Sequence, residues 1–513
     1  MNHVLIRSAF VLFALVCLYS GPAWAAESTL RLGAPWSPKT MDPQVDGYMF
    51  TRLGVVEGLT TLDEKLNIQP CLATAWTVSD DKLSWRFTLR DGVRFHDGTP
   101  LTAPAFRDAL QRTIKKGALL KNVPMASVEA PDDKTLVFKT TSPFSPLPAY
   151  LARGEAGALA PSSFDQAGEL VKPVGTGVFS VESWKLKEEI TLAANKAHWG
   201  PVKPKLDKVV YKSVPDALTR LAMLRGGELD VAQIMPADAA KSLAKSNEFS
   251  IHTMPIGRCR MMAFNLSRDP FSDIRVRKAV NLAVNRQEIV EANLDGIGEP
   301  AKTLFPPQVS WANASLKGFA FDPEGAKALL AQAGWKDANG DGILDKDGKP
   351  LRVKLLTYPE RAELPPMAEV IQQQLKKVGI GCDVVSMQVS AAEQTRDAGD
   401  FDLYLLGRGL LFVPDPDDNL MMDYFSENTF KKGWGAYHYK NAALDGLLQK
   451  ARTTFDQGER KKMYDEVQVL LEADMPMAYL NYYVNIDLVS KKVSGYRMHP
   501  TEQTFSLETL ELK

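Results

Sequence analysis

The chain has 513 residues, far more than one ordinary domain of roughly 100 to 200 residues requires, so two or three lobes with substantial cores are expected. Hydrophobic residues at 45% and charged residues at 24% are ordinary for a folded chain. With 61 Lys+Arg against 62 Asp+Glu, the net charge of -1 supplies no global field for nucleic acid or an anionic membrane, and a neutral or mixed-charge small partner is the expectation.

Residues 1–25 read MNHVLIRSAFVLFALVCLYSGPAWA, with Arg7, an apolar run from Ala9 to Leu18, and small residues at Ala23 and Ala25. This is expected to be a secretory signal peptide cleaved after Ala25, too short and wrongly flanked for a membrane anchor. Cys17 follows Leu15-Val16 with no small residue before it, so a soluble periplasmic protein is expected rather than a lipid-tethered one. Cys71, Cys259 and Cys382 then remain, with no CxxC pairing. They are either one disulfide and a free thiol or, on the plainer reading, three small apolar core residues.

Residues 83–89, LSWRFTL, alternate apolar and polar as a half-buried strand does. Asp91-Gly92 reads as a turn, VRFH at 93–96 as a second short strand and Asp97-Gly98 as another turn, which predicts a hairpin. The grouping of Asp91, His96 and Asp97 is thus turn chemistry rather than a metal or acid/base site. Thr102 caps a helix with Pro104 in its first turn and Phe106, Ala109, Leu110, Thr113 and Ile114 on its buried face. GTGVFS at 175–180 lacks the full GxGxxG and its strand-then-helix setting, so no nucleotide site is assigned.

The stretch 273–294, DIRVRKAVNLAVNRQEIVEANL, predicts one helix with Asp273 as N-cap and a stripe of Val276, Val280, Ala283, Val284 and Val290. Further helices are predicted over 322–335 and 365–380, the second ending at Gly379 before the strand GCDVVSMQV at 381–389. Between them, DANGDGILDKDG at 337–348 places Asp337, Asn339, Asp341 and Gly342 as a calcium loop would. Gly348 stands where a bidentate Glu is needed, so a charged hairpin is expected instead. Residues 441–475 read as a helical pair. Strands and helices mixed in this way, without repeats, argue for α/β lobes that share chain crossings. Histidines at 96, 198, 252, 438 and 499 form no HExxH, and GxSxG is absent, so no catalytic or metal residue and no cofactor is assigned. A secreted peptide hydrolase stays as the alternative, because triads can be scattered in sequence.

Residues 69–106, QPCLATAWTVSDDKLSWRFTLRDGVRFHDGTPLTAPAF, resemble the signature of the family 5 extracellular solute-binding proteins, the peptide- and nickel-type receptors of ABC importers. The resemblance continues through PVGTGVF at 173, FNLSRDPFSDIRVRKAVNLAVNR at 264, AKALLAQAGWKDANGDGILDKDGKPL at 326 and ERKKMYDEVQVLLEADMPMAYLNYY at 459. It implies a two-lobed α/β periplasmic binding protein of type II, with an extra β-rich subdomain in lobe I and a hinge of two chain crossings. Lobe I would be 26–264 with the subdomain at about 60–190, lobe II 265–483, and 484–513 the return to lobe I. The implied partners are a small-molecule ligand and the permease subunits of the importer, with no nucleic acid, the receptor being a monomer. A peptide-binding chaperone or sensor on the same fold is the family's alternative role.

Peptide receptors of the family place an Asp shortly after a Gly-Trp to neutralise the peptide amino terminus; here LLGRGLLFVPDPDDNL at 405–420 has Arg408, and Phe412 or its neighbours replace the acid. Dipeptide receptors carry an Arg before the MAE of the helix, where this chain has Pro365-Pro366. KTLFPPQVSWANASLK at 302, Met49-Phe50 and Arg408 are similar to the nickel-type receptors, yet Leu410 and Pro414 stand where their Trp and Tyr would be. A guanidinium fork suits carboxylate and is costly in a closed cleft unless paired. Arg408, with Arg153 in YLARGEAG, would therefore hold a carboxylate-bearing solute: a metal chelate, a short peptide or an opine-like compound. Pairing of Arg408 with a structural acid such as Asp415 is the alternative. Met49, Tyr482 and Tyr483 are expected wall residues, with hinge packing as the alternative for the tyrosines.

Overall fold

The computed structural model describes residues 27–116, 119–430, 435 and 437–513; the expected signal peptide lies outside them. Residues Thr29–Ala34 bury Leu30, Leu32 and Ala34 in one strand that pairs parallel with Lys208–Ser213 and Val231–Ala232. They belong to an eleven-stranded sheet whose order is Gly381–Ser386, Arg352–Thr357, Leu403–Gly409, Phe249–Phe264, Met477–Ser490, Val231–Ala232, Thr29–Ala34, Lys208–Ser213, Glu189–Ala194 and Phe179–Lys185. Glu299–Pro300 pairs with Met477–Ser490 off that path.

Two strands are far longer than the rest, Phe249–Phe264 with 16 residues and Met477–Ser490 with 14, each reaching about 50 Å at the usual rise. They run antiparallel to each other. Val231–Ala232 pairs with Leu488 and Val489, while Leu403–Gly409 pairs with Arg258 to Phe264. The chain therefore passes between the two halves of the sheet twice, once in each long strand, and their register shifts between Pro255 and Cys259. Helices Leu364–Lys376, Ala442–Thr453 and Gln457–Asp474 bury Ile371, Leu448 and Val467 in the core of one half. A separate four-stranded antiparallel sheet orders as Ala73–Val78, Ser84–Leu89, Thr135–Thr140 and Met125–Asp132. It buries Trp85, Phe87 and Phe138 with Phe106 and Leu110 of helix Ala103–Lys116. The strand Phe179–Lys185, within the range expected for the extra subdomain, joins the large sheet instead.

Two local expectations differ from the structure. VRFH is no second strand of a hairpin, because Ser84–Leu89 already has Ala73–Val78 and Thr135–Thr140 on its two edges. A single bridge, Arg94 to Pro100, closes the Asp97-Gly98 turn, where the Thr99 amide donates to Asp97 Oδ1 at 2.9 Å. The helix predicted over 273–294 is two, Ile274–Ala283 and Arg286–Leu294. Val284 is extended and Asn285 Oδ1 accepts the Glu288 amide at 3.1 Å, an N-cap that competes with continuation. Cys71, Cys259 and Cys382 are free and buried, so they pack as core residues, as the plainer reading of the sequence has it, and no disulfide joins them. In the segment 337–348, Asp337 accepts the amides of Gly340 at 2.7 Å and Gly342 at 3.1 Å, the turn the sequence predicts.

Asp487, 3% exposed on the second long strand, accepts the Tyr496 hydroxyl at 2.6 Å and the Ile234 amide at 2.8 Å. Burial raises its carboxyl to about 6. The folded chain thus holds this proton more tightly than the unfolded chain, whose Asp titrates near ~3.9, and the contribution of Asp487 to stability falls as pH rises from about 4 to about 6. Asp487→Asn cannot ionise, so its melting temperature is expected to gain on the parent's through that window. A constant difference from pH 4 to 7 would rule this out.

Candidate functional site

The site assembles where several elements end against the crossing strands. Strand Leu403–Gly409 brings Arg408 near its end, and the loop that follows is tied to the first long strand by the Leu410 amide donating to the Gly257 carbonyl at 2.6 Å. Arg408 forks onto Asp423 of helix Pro416–Tyr424, Nε to Oδ2 at 2.8 Å and Nη2 to Oδ1 at 2.9 Å. The acid is Asp423 rather than the Asp415 considered from sequence; Asp415 is taken by Arg460 at 2.8 Å. Burial opposes the Arg408 charge, and Asp423 more than restores it, so its pKa lies above the ordinary value.

Arg153 comes from the other half of the molecule. Its Nε and Nη2 donate to Glu155 at 3.1 and 2.6 Å, and its Nη1 donates to the Phe412 carbonyl at 2.9 Å. Arg153 and Arg408 both act on Asp418, a half-buried acid that accepts the Tyr150 hydroxyl at 3.4 Å. Burial raises the Asp418 carboxyl above its ordinary value, and the two guanidiniums pull it back only in part. Arg153 and Phe412 are therefore brought together, and Arg408 stands at the end of the strand that leads into the same loop.

The Phe412 ring stands edge-on to Tyr48, with centroids 5.6 Å apart, and 5.8 Å from the Arg258 guanidinium. Behind it, Glu502 accepts Arg258 Nη2 at 2.6 Å, the Tyr48 hydroxyl at 3.2 Å and Asn485 Nδ2 at 2.8 Å. Arg52 Nη2 lies 3.8 Å from the same carboxylate. Burial works against the Glu502 charge, but Arg258 and Arg52 hold its carboxyl below the ordinary value. One acid serves two guanidiniums here. Among the described residues, Arg258 Nε and Arg52 Nε and Nη1 have no hydrogen-bond partner.

The remaining expected residues fall elsewhere. Met49 is 3% exposed in the core, and its neighbour Tyr48 takes the position facing Phe412. Tyr482 is 2% exposed, its hydroxyl bonded to backbone of Thr303 and Phe305, whereas Tyr483 lies under the Arg260 guanidinium at 3.9 Å. Adjacent strand residues point to opposite faces, so only one of the pair can face the cleft. Sequence reasoning missed Tyr48, Glu155, Arg258, Asp418, Asp423 and Glu502. What results is fixed donors and acceptors of both signs beside an aromatic ring, an arrangement suited to recognising a small polar solute.

Residues 67–431 match the model described as bacterial extracellular solute-binding proteins, family 5 Middle. The oligopeptide-binding protein AppA of Bacillus subtilis is 32% identical over 88% of this chain and 84% of its own length. The glutathione-binding protein GsiB of Escherichia coli K12 is 28% identical over 89% of this chain and 88% of its own. The structure of NikA from Brucella suis in complex with Fe(III)-EDTA superposes with a TM-score of 0.86 at 26% identity, covering 95% of this chain and 100% of that one.

Proposed function

The chain belongs to the family 5 bacterial extracellular solute-binding proteins of ABC importers, and on that premise we propose that it captures a small zwitterionic solute bearing a carboxylate and an amino group. Lobe I, 26–264 with 484–513, and lobe II, 265–483, close on the solute about the two long strands, and the single chain hands it to the permease outside the cytoplasm. The observation that carries this reading is that two guanidiniums meet one loop and the helix after it: Arg153 donates to the Phe412 carbonyl, and Arg408 forks onto Asp423 of the helix that also carries Asp418. The solute carboxylate takes guanidinium N–H groups, and its amino group pairs with Asp418. A short peptide or an opine-like amino acid derivative has both ends. A peptide-binding receptor and a glutathione-binding receptor among the relatives support that class. The second reading, a metal chelate held by its carboxylates, is favoured by the likeness to NikA with Fe(III)-EDTA. In either case the chain binds without turning its solute over.

A ligand that binds only the folded state stabilises it by about 2.7 kcal/mol at a hundred times its dissociation constant, so a melting screen reads the class directly. Di- and tripeptides, glutathione and opines are expected to raise the melting temperature, and Asp418→Asn to abolish the shift. The shift is expected to fade on acidification sooner than for an ordinary Asp, because Asp418 protonates early and then cannot hold an ammonium. A response confined to Fe(III)-EDTA or nickel-histidine would select the second reading. A response to neutral sugars alone would overturn both.

A further inference from the structure

We propose that Phe412 is a length gate. Its ring separates the centre of Arg153, Arg408 and Asp418 from the centre of Arg258, Arg52 and Glu502, so that a solute held at the first cannot run on to the second. This deepens the solute-binding reading above and rests on it.

Four observations place the ring. In the loop after strand Leu403–Gly409, Leu410, Leu411 and Val413 are buried, and Phe412 is the half-buried side chain among them. The ring lies 5.9 Å from the Arg153 guanidinium and 5.8 Å from that of Arg258, with Tyr48 edge-on at 5.6 Å. The ring thus lies between two guanidiniums, one on each side of it.

The loop is also held in place. The Phe412 carbonyl accepts Arg153 Nη1 at 2.9 Å and Gln503 Nε2 at 3.1 Å, from two segments of the opposite half. Leu411 sits at φ 59, a left-handed conformation disfavoured for a residue with a Cβ, and its amide donates to Asn419 Oδ1 at 2.7 Å. Gly409 supplies the room: a Cβ there would overlap the ring. Strain held by this many contacts marks a backbone whose shape is selected rather than incidental.

Beyond the ring lie buried donors that the protein itself does not use. Arg258 also lies over the Trp36 ring at 5.9 Å, and its Nε, with Arg52 Nε and Nη1, donates to nothing among the described residues. Buried donors of this kind are costly to leave unpaired, so a longer solute reaching them would gain contacts that a short one cannot. The ring therefore excludes a class of ligand that the chemistry behind it would otherwise accept, and exclusion of this kind sets specificity as much as attraction does.

Native mass spectrometry tests the gate with an equimolar mixture of synthetic zwitterionic peptides of two to nine residues. The parent chain and Phe412→Leu, which keeps the bulk, are expected to retain only the two- and three-residue members. Phe412→Ala removes the ring, and Gly409→Ala displaces it while leaving Phe412 in place. Both are expected to gain about tenfold in retention of peptides of five residues and more. The same length profile for the parent and Phe412→Ala, whatever the change in melting temperature, overturns the gate and leaves the solute class standing. Parent chain that already retains the longer peptides overturns it too. If none of the four proteins retains any peptide, the solute class fails and the gate falls with it.

Discussion

Arg153→Ala is expected to raise the dissociation constant of the solute by about tenfold or more, with a smaller loss for Arg153→Lys. The guanidinium neutralises Glu155, which is 8% exposed, and anchors the Phe412 carbonyl. Without it, Glu155 and Asp418 face an incoming carboxylate with one guanidinium fewer, so the charge at the site shifts toward repulsion. Lysine restores the charge but not the fork that reaches two acceptors at once. Arg408→Ala acts from the other side by leaving Asp423, 1% exposed, without its cation. If both guanidiniums hold one solute, a double-mutant cycle by titration calorimetry should give a coupling of roughly 0.5 to 3 kcal/mol. A purely structural Arg153 would lower the melting temperature and leave the dissociation constant where it was.

The largest stability effect is expected at Asp415→Ala. Arg460 is 1% exposed and donates through Nη2 to Asp415 Oδ1 at 2.8 Å and through Nε to the Ala451 carbonyl at 3.1 Å. Asp415 is in turn the N-cap of helix Pro416–Tyr424, accepting the Asp417 amide at 3.0 Å. One carboxylate thus ties the helix that carries Asp418 and Asp423 to helices Ala442–Thr453 and Gln457–Asp474. Removing one partner of a buried pair costs about 3 to 5 kcal/mol, and loss of a cap about 1 kcal/mol more. Denaturant titration should show this as a lower midpoint, while Asp415→Leu combined with Arg460→Met should recover most of it, since an apolar pair of similar volume needs no compensation. A loss below about 1 kcal/mol for the single change would mean that the pair does not organise this face.

Local chemistry was the legible part of the sequence. Asp273 caps its helix by accepting the Arg275 amide at 2.9 Å, as its position predicts, and Asp97-Gly98 and Asp337 make the turns their residue types favour. Sequence pattern and structure part where neighbours in space decide. VRFH alternates like a strand but finds both edges of Ser84–Leu89 taken. The apolar stripe of 273–294 continues across Asn285, whose side chain nevertheless starts a new helix.

The site divides in the same way. Arg408 and Phe412 stood out because the family resemblance aligns their segment with the ligand-binding segment of the peptide and nickel receptors, and Arg153 because a second guanidinium suits a carboxylate. The acids did not, since Asp417 and Asp418 open a helix, where carboxylates commonly serve the helix dipole. The Arg258 to Glu502 pair joins positions 244 residues apart, a separation no local pattern encodes. Met49 and Tyr48 differ by one step of phase: in the short helix Gly47–Arg52 that step decides between the core and the face that meets Phe412.

The most direct measurement is native mass spectrometry of the chain purified without added ligand, followed by release and fragmentation of whatever it carries. The account predicts a one-to-one adduct bearing a carboxylate, with an amino group or a chelated metal beside it, lost in Arg153→Ala. A bound solute without a carboxylate, or an adduct retained unchanged by that variant, would contradict it.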